Sequence, residues 1–402
     1  MRHRAFVPSG TVTLVTLLLF VGAAAVVQAR GQAAQAPSRA QVAEAARKAS
    51  PHSADDAMEY WKGEIAKRLA EATARVYDPA RPPVPNPPRT PWGAPDIRGY
   101  FLTAMYTPLE RPDKVAKPLY TTEEAVNAFR FATTADAGVD PATVHYDWKE
   151  FGMDAWQSPV RPNLRTGLIT DPANGKIPAL TPDAQKRRAE AAAQRRQRDP
   201  QTGVQIFGNL YTRCVLGGGA APLIDGGEPG SDSAAGAGGV TTEAQIFQTP
   251  DHVVIVQQRN TDVRIIPLDG RPHLPDSVRQ WYGDPRGRWE GNTLVVETTN
   301  FNDRGPATNF LGSTDGLQLV ERFTIVDANT LRYEYTVTDP KTWTRPWSVE
   351  APLPRIDPPL YEFACHEQNY GLINLVMGAQ IRATEGLLDP RDPRATQAAP
   401  RD

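Results

Sequence analysis

From Thr241 to Tyr370 the chain is a succession of short apolar, β-branched and aromatic runs broken by turn residues. The runs are Ala244–Thr249, His252–Gln258, Asp262–Leu268, Thr293–Thr299, Leu317–Val326, Leu331–Thr338, Trp347–Ala351 and Leu360–Cys365. Turn chemistry separates many of them: Thr249-Pro250-Asp251, Glu290-Gly291-Asn292 and Asp327-Ala328-Asn329. Repeated runs of this kind predict an antiparallel meander, closed into a barrel or packed as a sandwich. The fold class expected is mainly β, a lipocalin-like barrel or a sandwich, with an N-terminal helical and proline-rich extension.

The N-terminal end reads as an export signal. Arg2 and Arg4 precede an apolar stretch from Val12 to Val27, which ends in the small-residue site Val27-Gln28-Ala29. The alternative is an uncleaved anchor, because the stretch is nearly long enough to span a bilayer. Taking 1–29 as a signal peptide removes two arginines and no acid, so the net charge moves from −2 to −4. That balance disfavours a nucleic-acid partner, which calls for a basic surface. A periplasmic or secreted location follows, with no membrane partner after cleavage.

Only Cys214 and Cys365 carry thiols. In an oxidising compartment the expectation is a Cys214–Cys365 disulfide. Two buried free thiols, or a metal site built on them, are the alternatives.

The rest of the chain divides by composition. Residues 30–96 form an arm, with an amphipathic helix over Asp55–Val76 and eight prolines in Asp78–Asp96. Residues 97–382 form one β domain carrying a helical insertion at 107–200, and 383–402 a polar tail. Gly99–Tyr106 opens the domain as a strand. Thr121 and Glu124 make a capping box for a helix near Glu123–Phe131. Thr181-Pro182-Asp183 starts a second helix, with an N-cap, proline at N1 and an acid in the first turn. Its arginines, Arg187 to Arg198, read as a solvated face. Gly217–Gly239, rich in Gly, Ala and Ser, lacks a phosphate-loop ending and reads as a flexible surface loop.

Alternation sorts the strand faces. Leu317, Leu319, Glu321, Phe323 and Ile325 share one face, as do Leu331, Tyr333, Tyr335 and Val337. Asp262, Arg264, Ile266 and Leu268 share a third. Glu321 therefore stands on an apolar face, where an unpaired carboxylate is very costly. Arg264 is the expected partner. Such a pair beside Tyr333 and Tyr335 orients a polar ligand, acts as a general base with tyrosine help, or only fixes strand register. His273 and His366 are candidate acid–base groups at a pocket rim. Their spacing matches no zinc pattern, so no metal and no cofactor are expected. Trp281, Trp289, Trp343 and Trp347 offer aromatic surface for a ligand or for packing. Asp284, Arg286 and Arg288 are read as loop ties. There is no Gly-x-Ser-x-Gly elbow and no His-Glu-x-x-His.

Several motifs resemble a family of exported bacterial proteins to which no activity is attached. They are Arg264-Ile-Ile-Pro-Leu-Asp-Gly-Arg-Pro-His273, Trp281-Tyr-Gly-Asp284, Gly287-Arg-Trp-Glu-Gly-Asn-Thr-Leu-Val-Val-Glu297-Thr-Thr-Asn-Phe301 and Glu321-Arg-Phe323. Asp339-Pro340, Trp343-Thr-Arg-Pro-Trp347 and Tyr361-Glu-Phe-Ala-Cys-His-Glu367 continue the likeness, with Pro91-Trp-Gly93 and Thr107-Pro-Leu-Glu-Arg-Pro112 upstream. The resemblance implies His-Asp before the arginine strand, where this chain has Thr261-Asp262, so a histidine at that spot is absent. It implies export and transfers no mechanism. Gly99-Tyr100-Phe101 is similar to the Gly-x-aromatic opening of lipocalins, which bind small apolar ligands in an eight-stranded barrel. The insertion of about 100 residues before the meander departs from that pattern.

Three function classes remain. One is an exported binder of a small apolar or aromatic molecule, with Tyr335, Phe323, Trp289 and Asp262 lining the site. The second is a lyase, isomerase or hydrolase on such a molecule, using Glu321, Arg264, Tyr333 and His273 or His366. The third is an extracytoplasmic interaction protein. A wide polar-lined cavity favours the first two, and a filled core the third.

Overall fold

Glycine and proline placement decides how this sheet begins, bends and ends. The computed structural model describes residues 70–71, 73–103, 105–137, 161–196, 214, 222–224, 243–258, 262–302, 310–356, 360, 362–367 and 369–385. They belong to a compact unit that runs from Arg68 to Asp402. The expected helix over Asp55–Val76 lies mostly outside the described residues.

Ten strands follow in chain order: β1 (Gly99–Leu102), β2 (Ile169–Asp171), β3 (Glu243–Gln248), β4 (His252–Gln257), β5 (Val263–Pro267), β6 (Asp284–Glu290), β7 (Thr293–Thr299), β8 (Gln318–Asp327), β9 (Thr330–Thr338) and β10 (Trp347–Ile356). The α-helices among the described residues include α1 (Thr122–Ala137), α2 (Pro182–Arg196) and α3 (Tyr370–Glu385). The chain is thus mainly β, as its turn-punctuated runs indicate. The strands make one antiparallel sheet in the order β5-β4-β3-β1-β10-β9-β8-β7-β6, with β2 added to β10. No ladder joins β5 to β6, so the sheet is not closed by hydrogen bonds.

It is nonetheless strongly curled. Six strand steps separate β5 from β8, which would span about 29 Å in a flat sheet. Arg264 on β5 instead hydrogen-bonds to Glu321 on β8. The ends of the sheet meet at Gly287 on β6. A Cβ there would lie 2.6 Å from Leu268 Cδ2 and 2.8 Å from Ile266 Cγ2, so any larger residue would push these side chains aside. The inner faces then bury one continuous core that includes Phe101, Ile246, Ile255, Ile266, Val296, Phe323 and Trp347.

Both anticipated helix starts have their cap bonds. The Thr121 amide donates to Glu124 Oε2 at 2.7 Å, and the Glu124 amide to Thr121 Oγ1 at 3.3 Å. The Ala184 amide donates to Thr181 Oγ1 at 3.2 Å. The disulfide pairs Cys214 with Cys365, 151 residues apart, at a Cα separation of 5.6 Å.

Four elements differ from the expectations. The expected strand Leu360–Cys365 does not form in its described residues, 360 and 362–365. β10 also runs past Ala351, through Pro352 and Pro354. These lie two residues apart, so both missing N–H groups face the same edge. β6 was hidden by Pro285 and Gly287, and Pro285 is tolerated because β6 is an edge strand. α3 was not anticipated. It leaves Tyr370, Ile373, Met377 and Ile381 exposed, at spacings that place them along one side.

On the outer face, Arg322, Glu334 and Glu350 stand in one cross-strand row. Glu350 accepts from Tyr77 Oη at 3.0 Å and from Arg165 Nη2 at 2.7 Å. Burial, and then the neighbouring Glu350 charge, push the Glu334 carboxyl up. A carboxyl whose folded pKa is raised contributes stability that is fully present below its unfolded value, about 4.3. That contribution is lost as pH rises through the folded value. Glu334→Gln is therefore expected to raise the melting temperature at pH 7 and leave it unchanged near pH 3.5. Calorimetric melts at the two pH values check this, and equal melts at pH 7 refute it. Replacing both cysteines by serine should lower the urea-unfolding free energy by about 3–5 kcal/mol, since the bridge closes a long loop.

Candidate functional site

The inner face of the curled sheet carries one charged pair. Alternation on β5 turns Arg264 and Ile266 inward and leaves Val263 and Ile265 exposed. On β8 it turns Leu319, Glu321 and Phe323 inward, and on β9 Leu331, Tyr333, Tyr335 and Val337. Arg264 is 3% exposed and Glu321 0%. Their pairing is bidentate: Arg264 Nη1 donates to Glu321 Oε1 at 3.0 Å, and Nη2 donates to Oε2. Tyr333 adds a third bond, its hydroxyl donating to Glu321 Oε1 at 2.7 Å. Three sequence-selected residues are thus brought together.

The electrostatics follow from burial. Removing Arg264 from water opposes its charge, but the Coulombic pull and hydrogen bonds of Glu321 outweigh this and raise its pKa. Burial, and next the Glu321 charge, hold the Tyr333 phenol well above its ordinary value. Tyr333 therefore stays a neutral O–H donor, and its oxygen keeps a lone pair for another donor. A buried pair of this kind stands near break-even against apolar residues, whereas removing one partner strands a charge.

The cluster is covered by a chain segment from outside the sheet. Pro222, Leu223 and Ile224 insert against β9, with Leu223 7% exposed and Ile224 1%. The Leu223 amide donates to Tyr333 Oη at 3.0 Å. Tyr335 Oη donates to the Ile224 carbonyl at 3.1 Å. This corrects the surface-loop reading of Gly217–Gly239 at 222–224; its other residues lie outside the described ones. Each aliphatic side chain gains about 1.5–3 kcal/mol from such burial. The signal was present in the sequence: Pro-Leu-Ile is an apolar break inside a Gly, Ala and Ser background.

Aromatic rings pack on one another in the same core. Tyr333 lies 5.0 Å from Phe323 and 5.6 Å from Tyr335 between ring centroids. Trp347 stacks on Phe310 at 5.8 Å and meets Trp343 edge to face at 5.6 Å. Two buried donors here, Arg264 Nε and Trp347 Nε1, have no hydrogen-bond partner among the described residues. Leaving a buried donor unmet costs about 1–3 kcal/mol.

The other sequence-selected residues sit apart. Asp262 is buried and accepts from Tyr282 Oη at 2.5 Å. His273 Nδ1 lies 3.2 Å from Asp284 Oδ2, and the same carboxylate takes the Leu274 amide at 2.8 Å and Arg286 Nη1 at 2.6 Å. Asp284 and Arg286 thus tie the loop that holds His273. His366 is exposed beside Cys365. Neither histidine hydrogen-bonds to the Arg264–Glu321–Tyr333 cluster. Trp289 packs half-buried against the core, whereas Trp281 is 42% exposed. The four tryptophans therefore do not form one wall. An open cleft of about 550 Å³ lies elsewhere, over Gly99, Tyr100, Gln245–Gln248 and Arg355, and contains none of the selected site residues.

A mainly β protein with a buried, hydrogen-bonded acid–base cluster under an inserted segment is what the fold and site define. No family model, curated protein or solved structure matches the chain.

The pair makes a clear energetic prediction. Glu321→Met or Arg264→Met alone should destabilise by about 3–5 kcal/mol, and the two together by far less. A double-mutant cycle in urea reads the coupling, and additive losses refute it.

Proposed function

We propose that the protein is an exported binder of a small apolar or aromatic molecule, held inside the curled, barrel-like sheet. The polar end of the ligand meets Arg264, Glu321 and Tyr333, and its apolar body meets Tyr335 and Phe323. The ligand takes the place of the Leu223–Ile224 insertion. One observation carries this reading. The charged cluster is capped by the backbone of an inserted segment rather than by side chains of the sheet. The filled core is the feature that favours an interaction protein, and the binding reading rests on what fills it. Here two aliphatic side chains from another segment complete it, and the backbone of that segment bonds to the hydroxyls of Tyr333 and Tyr335. Sites of this type are mostly apolar with a few convergent polar groups.

Export agrees with the charged, apolar and small-residue order of residues 1–29 and with the disulfide. Among the described residues no helix is long and apolar enough to cross a membrane. A second reading, acid–base catalysis on such a molecule, has one observation in its favour: His273 is partly exposed and paired with the buried carboxylate of Asp284.

N-phenyl-1-naphthylamine, an apolar aromatic amine, is the probe for the binding reading. Its fluorescence should rise on titration into the native protein. The Arg264→Met/Glu321→Met variant, confirmed folded by circular dichroism, should bind it about tenfold more weakly, through loss of the hydrogen bonds to its N–H. Unchanged binding in the double variant, or none in the native protein, would falsify the reading.

A further inference from the structure

The inserted segment shows what chemistry the interior accepts. Tyr333 and Tyr335 project from alternate positions of β9, so their hydroxyls face the same side. They do not ask for the same partner. Tyr333 Oη spends its proton on Glu321 and accepts from the Leu223 amide. Tyr335 Oη donates to the Ile224 carbonyl. The pair therefore reads an N–H followed, one residue on, by a C=O. That is the order of polar groups along an extended dipeptide. Between these bonds, branched aliphatic side chains bury almost completely in the core formed by β7, β8, β9 and β10. A fatty acid or hydrocarbon offers no N–H for the Tyr333 oxygen. An aliphatic amide offers both groups.

We infer that the interior site takes peptide-type ligands, meaning short aliphatic peptides or N-acyl amides, and that Leu223-Ile224 occupies it as an internal copy of such a ligand. This inference rests on the reading of the interior as a binding site. Specificity comes from Tyr333 and Tyr335 reading backbone polarity, and from the core accepting Leu- and Ile-like side chains. Arg264 and Glu321 act one step back, by fixing the proton of Tyr333 on its Glu321 side.

The test empties the site and offers a peptide. In Pro222→Gly/Leu223→Ser/Ile224→Gly the aliphatic side chains are gone, and N-acetyl-leucyl-isoleucinamide is titrated by calorimetry. Binding is expected, and adding Tyr335→Phe should weaken it about three- to tenfold through loss of the carbonyl contact. Peptide binding that ignores Tyr335→Phe overturns the inference. A folded variant that binds N-phenyl-1-naphthylamine but not the peptide also overturns it, and leaves the binding-site reading standing. A folded variant that binds neither overturns both. If the variant does not fold alone, the peptide is included during refolding, because a ligand that binds only the folded state stabilises it. Recovery of a cooperative melt supports the inference, and no recovery rejects it.

Discussion

The bidentate contact between Arg264 and Glu321 ties two strands that the sheet order keeps far apart. Hydrogen-bonded ladders run from β5 through β4, β3, β1, β10 and β9 before they reach β8. Only a strong curl brings the two charged groups together, and once together they disfavour any flatter sheet. Opening the curl would leave a guanidinium and a carboxylate in an apolar interior without each other. The same constraint fixes register. A one-residue slip of β8 would turn Glu321 outward and Arg322 inward, placing two arginines on one buried surface. Gly287 completes the arrangement by letting β6 lie against Ile266 and Leu268 without a ladder between β5 and β6.

Around this pair the sheet divides its labour. Among the described residues the inner face is apolar apart from the Arg264–Glu321–Tyr333 cluster, Asp262 just before β5 and a few buried neutral groups such as Thr298. The outer face carries charges in cross-strand rows, as in Arg322, Glu334 and Glu350. Tyr77, Arg165 and Arg332 strap preceding segments onto that face through Glu350 and the tyrosine hydroxyl. β10 is the hub, because it pairs with β9, β1 and β2. The meander and the early part of the chain therefore meet on one strand.

Much of this was legible in residue order. Period-two alternation put Glu321, Tyr333, Tyr335 and Arg264 on inner faces, and an unpaired carboxylate there demanded a cation. Thr121 and Thr181 announced helix starts through capping chemistry that is local in sequence. What escaped was non-local or broke a local rule. β6 contains Pro285 and Gly287, which count against a strand until its edge position is known. Leu223 and Ile224 lie in a stretch whose composition reads as loop, and their burial depends on an interior that exists only after the sheet curls. Asp284 as the partner of His273 depends likewise on the hairpin of β6 and β7.

Pro222 follows Cys214 by only eight residues, and Cys214 is bonded to Cys365. The inserted segment is thus tethered close to its own site, and its docking is an intramolecular event. A short tether gives an effective concentration on the order of millimolar. On the proposed binding function, a ligand competes against that local supply, and its apparent affinity is the intrinsic one multiplied by the fraction of time the segment is undocked. On that proposal the cross-link sets a threshold for occupancy as well as a stability, because it keeps the inserted segment within reach of Tyr333 and Tyr335.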